Sequence, residues 1–338
     1  MKSRKIIITN LPAFYKIRLF NEINKKTPLL VLFTGHGNEV RNNDFFKGDI
    51  EFNYIYLDKG FLRNCSVLLR VLCKNLFKEL IIGGWDNIYM WISLLCSSKR
   101  KNSIIVESSI HESQTKGLKG FLKRLFIMRC SKAYVPGKSN ADLIRSLGFD
   151  GEIVKTKGCG IFNYVEQPVY EYREKVSRFI YVGRLVEVKN LRFLISVFNE
   201  YPELTLDIVG FGPLEKELKM MAASNIIFHG AVDNITLPSL YRDADVFVLA
   251  SRSETWGIVV EEALNNGLPV IVSDKVGCAQ EIVDESNGLI FKSDNPTSFK
   301  NAIEKIREIE YYNILRKNIS KLDFETIERK QVECFCNF

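Results

Sequence analysis

What the 338-residue sequence lacks narrows its chemistry before any motif is read. No apolar run approaches the roughly 18 residues that a spanning helix needs. The start, Met1 to Asn10, has basic residues but only Ile6-Ile7-Ile8 before Thr9-Asn10, too short for a signal-peptide core, so the chain is expected in the cytoplasm. Its eight cysteines, at 65, 73, 96, 130, 159, 278, 334 and 336, form no CxxC pair and have no histidine nearby. That excludes a zinc site and a disulfide framework and leaves reduced core thiols. Histidine is scarce: His36, His111 and His229 are all there are, and no metal is expected. A nicotinamide site is disfavoured too. Gly210-Phe211-Gly212-Pro213 has no third glycine at dinucleotide spacing and no acidic residue ends the following strand. Nor is there a helix-turn-helix, an aromatic-plus-basic stacking pattern, or a repeat short enough for a solenoid.

What is present is ordinary globular composition, 46% apolar and 26% charged, with length for two domains. Charge is unevenly divided. Residues 1 to 170 hold 27 Lys and Arg against 14 Asp and Glu, net +13, and the remainder is net −6. An anionic partner is therefore expected for the first half only, and a bilayer surface fits better than nucleic acid.

Period-2 runs bounded by turn residues alternate with helical patterns along the whole chain. In the first half strands are expected at 4 to 9, 28 to 33, 51 to 57, 79 to 82, 103 to 107 and 132 to 135, with helices between them. In the second half strands fall at 179 to 182, 204 to 209, 226 to 229, 245 to 250 and 269 to 273. Such alternation builds parallel doubly wound sheets, so the fold class is α/β with two Rossmann-like domains. The expected divisions are an acceptor-side domain over 1–165, a polar linker containing Pro168, a nucleotide-binding domain over 178–320, and a helical tail over 321–338 that packs back on the first domain.

The second half turns on residues 251 to 274, SRSETWGIVVEEALNNGLPVIVSD. A buried strand ends at Ala250, Ser251 to Trp256 is a loop, and a helix starting near Gly257 stops at Asn265-Asn266-Gly267. Glu254 lies at the strand's carboxyl end, where open parallel sheets bind ligands, and Glu262 lies about a turn and a half into the helix. Helix-start amides at Thr255, Trp256, Gly257 and Ile258 thus sit between two carboxylates. A diphosphate flanked by hydroxyl-rich rings suits that frame, although a capping glutamate and a solvated helix glutamate share the same spacing. Earlier, Gly183-Arg184 follows a strand, and Lys189-Asn190 opens the next helix. Two cations beside a helix N-terminus suit a phosphate, with Glu187 the one competing carboxylate, although a solvated turn shares the same pattern.

Together these residues resemble the signature of family 4 of the glycosyltransferases, retaining enzymes of the GT-B fold, whose two domains face each other across a cleft. The resemblance rests on Ser251, Glu254, Trp256-Gly257, Glu262-Ala263, Gly267-Leu268-Pro269-Val270 and the Gly183-Arg184…Lys189 pattern. It covers residues 179 to 291 densely and the first half thinly. It implies that Glu254 sits by the donor sugar, that Glu262 binds the ribose diol, and that Arg184 and Lys189 grip the donor diphosphate. Gly183, Gly210 and Gly212 would then lie beside the nucleotide and His229 would flank the base. Trp256 replaces the commoner Phe.

In the first half Asn10, Pro12, Tyr15 and Arg18 resemble the opening of a branch of that family found in bacterial surface-polysaccharide pathways. Asn10, Tyr15, Arg18, Trp85, Glu107 and Glu112 are the acceptor-side candidates, and His111 is the one histidine placed for the cleft. The segment Lys116 to Lys132 carries six cations and no carboxylate among Leu118, Phe121, Leu122 and Leu125. It either lies in a headgroup layer or packs on the sheet with its cations in water. The helix after Leu62 has the same character with a broader apolar face, expected in the core.

The combined expectation is a retaining glycosyltransferase of hexosyltransferase type, working without metal or other cofactor. It would move sugar from a nucleotide-sugar donor, a UDP-sugar, to a lipid-linked glycan in O-antigen or capsule biosynthesis, peripheral on the inner face of the membrane. A nucleotide-sugar epimerase of the same fold and a catalytically inactive binding protein are the alternatives.

Overall fold

The computed structural model describes residues 5–35, 43–46, 48–74, 77–162 and 164–336. His36 and Asn163 lie outside the described residues. The chain divides into two compact units, Met1–Ile161 with Glu325–Phe338, and Phe162–Phe324.

The first unit runs β1 (Lys5–Thr9), α1 (Phe14–Lys26), β2 (Leu29–Phe33), β3 (Asn53–Tyr56), α2 (Phe61–Lys74), β4 (Glu79–Ile82), α3 (Ile88–Leu95), β5 (Asn102–Ile105), α4 (Gly117–Ile127), β6 (Lys132–Val135), α5 (Lys138–Ser146) and β7 (Glu152–Lys155). The second runs β8 (Arg178–Val182), α6 (Leu191–Phe198), β9 (Thr205–Val209), α7 (Glu215–Met221), β10 (Ile226–Gly230), α8 (Leu237–Asp243), β11 (Val246–Leu249), α9 (Ile258–Asn265), β12 (Val270–Ser273), α10 (Ala279–Ile282), β13 (Gly288–Phe291), α11 (Pro296–Ile306) and α12 (Ile309–Ile319). A last helix, α13 (Phe324–Cys336), belongs to the first unit from Glu325 onward.

Both sheets are wholly parallel, ordered β3-β2-β1-β4-β5-β6-β7 and β10-β9-β8-β11-β12-β13. Parallel strands covered on both faces read as continuous apolar runs, as Leu29–Phe33 and the centre of Lys5–Thr9 do, and both strands are buried at every position. Two Rossmann-like units of the α/β class are therefore established. Each sheet reverses its strand order once, between β1 and β4 and between β8 and β11. Crevices at the carboxyl ends of those strands are where such sheets bind ligands.

In the first unit α2, α3, α4 and α5 supply buried residues to one core cluster, and α1 and α13 supply a second. Phe335 on α13 stacks on Tyr134 with ring centroids 4.5 Å apart. Beneath that stack Glu79 is bound three ways, by Lys5 Nζ at 2.5 Å, Ser103 Oγ at 2.6 Å and the Tyr134 hydroxyl at 2.8 Å. Burial, with Glu79 beside it, holds the Tyr134 phenol protonated far above its ordinary range. The apolar face of α2 corrects an expectation: Leu68, Val71 and Leu72 are core, but Phe61, Leu62 and Leu69 are exposed.

Candidate functional site

The second unit's loops converge at its switch point because glycines let backbones touch. Gly210 has φ +132°, and a Cβ there would lie 2.0 Å from the Gly183 carbonyl oxygen. The loops after β8 and β9 are laced by Leu185 N–H donating to Phe211 O at 2.9 Å, and Gly210 N–H reaches Gly230 O at 2.7 Å. Past Gly183-Arg184, a turn over Glu187–Lys189 ends at Asn190, left-handed at φ 59°, which leads into α6. Asn190 Nδ2 donates to Asp294 at 3.0 Å, and Arg252 from the loop after β11 holds the same carboxylate at 2.9 to 3.1 Å. These ties fix the β8 loop against the β11 loop.

The consequence is that Lys189 and Glu254 form an ion pair, each side chain only 15% exposed. The loop carrying Glu254 is clamped from its other side. Glu254 N–H donates to Lys275 O, Gly277 N–H to Glu254 O, and Cys278 N–H to Trp256 O, at 2.9 to 3.1 Å. Gly277 is required for that clamp, since a Cβ there would sit 2.1 Å from Thr255 O. Gly257, at φ +99°, then turns the chain into α9. Behind the β8 loop the buried Tyr181 hydroxyl donates to Arg184 O at 2.9 Å, fixing the backbone from which Arg184 extends.

Trp256 is fully buried and its indole N–H donates to Glu261 at 2.7 Å, so its role is to seat the loop on α9. Glu261 escapes the sequence reading, because a glutamate in a first helical turn looks like an ordinary dipole partner. Burial drives its carboxyl up to about 8, against the pull of the Trp256 N–H. Glu262, next to it, accepts the Tyr241 hydroxyl at 3.2 Å, and burial raises it to about 7. His229, next to last in β10, has its Nε2 2.7 Å from Asp207, a buried carboxylate that Arg178 also grips through Nε and Nη2 at 2.6 and 3.0 Å. Gly212 packs under Leu185 O, leaving no room for a Cβ.

In the first unit a cavity of about 230 Å³ opens at the β1–β4 switch point. Asn10, Tyr15, Trp85 and Glu107 line it together with Asp86, from the Gly83-Gly84-Trp85-Asp86 loop at a strand end, and Lys16, which the sequence reading left out. Thr34 Oγ1 donates to Asn10 Oδ1 at 3.0 Å, and Lys16 pairs with Glu107 at 2.8 Å. Burial works to neutralise Lys16, but Glu107 outweighs it and holds the ammonium above its ordinary range. Arg18, Glu112 and His111 lie outside that lining. Arg18 approaches Glu328 on α13 at 3.9 Å, Glu112 accepts Ser109 N–H within its own turn at 3.1 Å, and His111 is exposed.

Residues 166–322, nearly the whole second unit, match the family described as Glycosyl transferases group 1. The chain is 32% identical to the sulfoquinovosyl transferase SQD2 of Arabidopsis thaliana, over 44% of this chain and 30% of that protein. It is 30% identical to the UDP-Gal:alpha-D-GlcNAc-diphosphoundecaprenol alpha-1,3-galactosyltransferase of Escherichia coli, over 41% of this chain and 39% of that one. Matches to the first curated relatives span between 30% and 56% of their lengths. Among solved structures, Anabaena HepE in complex with UDP superposes with a TM-score of 0.74 at 14% identity, covering 99% of both chains. The two-unit architecture is accordingly that of the GT-B glycosyltransferases.

Proposed function

We propose that the chain is a retaining glycosyltransferase of family 4 that moves a hexose from a UDP-sugar to a lipid-linked glycan in O-antigen or capsule biosynthesis. The observation that carries this is the pairing of Lys189 with Glu254, which joins the loops that follow β8 and β11 ahead of the α9 N-terminus, with Arg184 on the same loop as Lys189. The family match of the second unit and the relative that uses UDP-galactose and a diphosphoundecaprenol-linked acceptor support the same donor and acceptor chemistry.

On this reading the bond between the sugar's anomeric carbon and the β-phosphate oxygen breaks, and a bond from the acceptor hydroxyl forms on the same face. The departing phosphate takes the hydroxyl proton, so no separate side-chain base is needed. Charge grows on that phosphate. Arg184, Lys189 and the amides at Trp256 to Ile258 are preorganised to stabilise it without metal. Glu254, paired with Lys189 before donor enters, holds the donor sugar through the transition state, and Glu262 offers a carboxyl to the ribose diol. The cavity lined by Asp86, Glu107, Trp85 and Asn10 takes the acceptor sugar, with carboxylates for hydroxyls and an indole for the ring face. The enzyme would work peripherally at the inner face of the membrane.

A thermal-shift screen over UDP-, GDP- and TDP-sugars tests the donor site, and acceptor-dependent release of nucleoside diphosphate tests turnover. Stabilisation by UDP-sugars and product formation unchanged by EDTA are the expected results. Binding without release would leave an inactive binding protein, and release of an epimer without acceptor would mean an epimerase.

A further inference from the structure

We propose that Asp294, in the turn between β13 and α11, is a positioning residue for the donor diphosphate: its carboxylate ties the loops after β8 and β11 together and so fixes where Lys189 meets phosphate. The inference deepens the donor-site reading above and rests on it.

Lys189 and Glu254 act on one donor only if their two loops are in register, and the sheet does not supply that register. β8 and β11 pair through Phe179 and Ile180 against Val246 and Phe247, so the ladder ends before either strand reaches its loop. Beyond it, Arg252 N–H donates to Val188 O at 2.8 Å. The rest of the link passes through Asp294. Asn190 Nδ2 donates to its carboxylate at 3.0 Å, and Arg252 Nε and Nη2 donate to the same group at 2.9 to 3.1 Å. Val188 and Asn190 flank Lys189, and Arg252 lies just before Glu254 on the same loop. The carboxylate is itself anchored, because Ser293 N–H donates to Asp274 Oδ1 at 2.9 Å and Asp274 N–H to Phe291 O at 2.8 Å. Lys275, next along from Asp274, accepts Glu254 N–H at 3.1 Å. One strand end therefore holds both the clamp and the backbone of Glu254.

Two further observations set this contact apart from an ordinary surface ion pair. Asp294 and Asn190 are left-handed, at φ 56° and 59°, two of the three non-glycine residues with positive φ among the described residues, and they are bonded to each other. Such conformations gather at ligand sites, where the surroundings hold them in place. Glycine would take the same turn freely, so what aspartate adds at position 294 is its carboxylate. Arg252 and Asp294 are also 52% and 49% exposed, and ion pairs that open to water add little to stability. Hydrogen bonding from Arg252 holds the Asp294 carboxyl below its ordinary range, so it is an anion at neutral pH. The effect of the pair lies in loop geometry rather than in fold stability.

Thermal shift and calorimetric titration of full-length protein with UDP, GDP and TDP test this. Wild type is expected to bind at least one of the three. Asp294→Gly removes the carboxylate and leaves a residue that takes φ 56° without strain, so the ligand-free melting point should hold or rise. Its affinity for the bound diphosphate should fall at least about 10-fold, the scale of one displaced charge-assisted contact. In a Lys189→Ala background the same change should weaken binding by less than about 2-fold, because the group it positions is gone. Arg252→Gln should reproduce the loss, and the Asp294→Gly, Arg252→Gln double variant should bind no worse than either single one. Wild-type affinity in Asp294→Gly overturns the proposal. So does an equal loss with and without Lys189, which would make Asp294 a general turn residue, and so do additive losses in the double variant, which would deny the shared clamp. A wild type that binds none of the three diphosphates removes the donor site itself, and this role with it, before any variant is compared.

Discussion

Glu254 and Lys189 are held 65 positions apart in sequence and joined in space, so each is the other's electrostatic environment. Glu254→Gln removes charge but keeps shape, and a partly buried charge-assisted contact of this kind is worth about 1.5 to 3 kcal/mol. We expect its transfer rate to fall by about 100-fold or more if the carboxylate acts through the transition state. Single-turnover kinetics with UDP-sugar checks this, and near wild-type turnover would remove Glu254 from its assigned role. The buried Glu261 predicts a pH signature. Its folded pKa, about 8, stands above the ordinary carboxylate value of 4.5, so the native state holds a proton that the unfolded chain releases. Stability from this group is full below pH 4.5 and is lost as pH rises through about 8. Unfolding midpoints taken from pH 5 to 9 should therefore drop more steeply for wild type than for Glu261→Gln, which mimics the protonated carboxyl. Equal slopes would show that Glu261 is ionised in the folded protein.

At the scale of elements, two close approaches set the site. Gly210→Ala would force a Cβ to 2.0 Å from the Gly183 carbonyl and strain a backbone at φ +132°. The β8 and β9 loops must then part, and we expect a loss of about 1 to 3 kcal/mol in stability together with weakened UDP binding, read by calorimetry and thermal shift. A variant as stable as wild type with unchanged UDP affinity would refute the close packing. These elements were legible because Gly183-Arg184, Gly210-Phe211-Gly212 and Ser251 to Gly257 each follow a β-branched apolar run, which fixes them at strand carboxyl ends. One edge strand of each sheet and the last helices of the second unit were not. β7, Glu-Ile-Val-Lys, is polar at both ends and half-exposed, so its four residues carry no period that distinguishes a strand from a loop. β13 at the opposite sheet's edge and helices α11 and α12 were likewise outside the expected alternation. The cavity of the first unit was legible in Asn10, Tyr15, Trp85 and Glu107. Lys16 escaped because a lone lysine on a helix reads as an ordinary solvated cation.

The whole chain is two compact units with α13 returning to the first, and that predicts how it unfolds. The sequence leaves the first unit after Ile161, builds the second, and returns at Glu325. Val332 and Phe335 of α13 are buried against the first unit's sheet, and Gly158 packs so closely on Gln331 that a Cβ there would lie 2.3 Å from Nε2. Removing residues 325 to 338 takes two large apolar side chains off Tyr134 and its neighbours, at about 1.5 to 3 kcal/mol each. It also opens the buried Lys5–Glu79 pair to water from that side. The second unit loses nothing from its own sheet. Hydrogen exchange on the truncated chain should therefore show β1, β4 and β6 losing protection, while β8, β11 and β12 exchange as in the intact protein. Adding UDP should slow exchange in the loops after β8 and β11 in both forms. If the truncation instead raised exchange evenly through both sheets, the two units would share a single cooperative core, and α13 would be holding the whole molecule rather than one half of it.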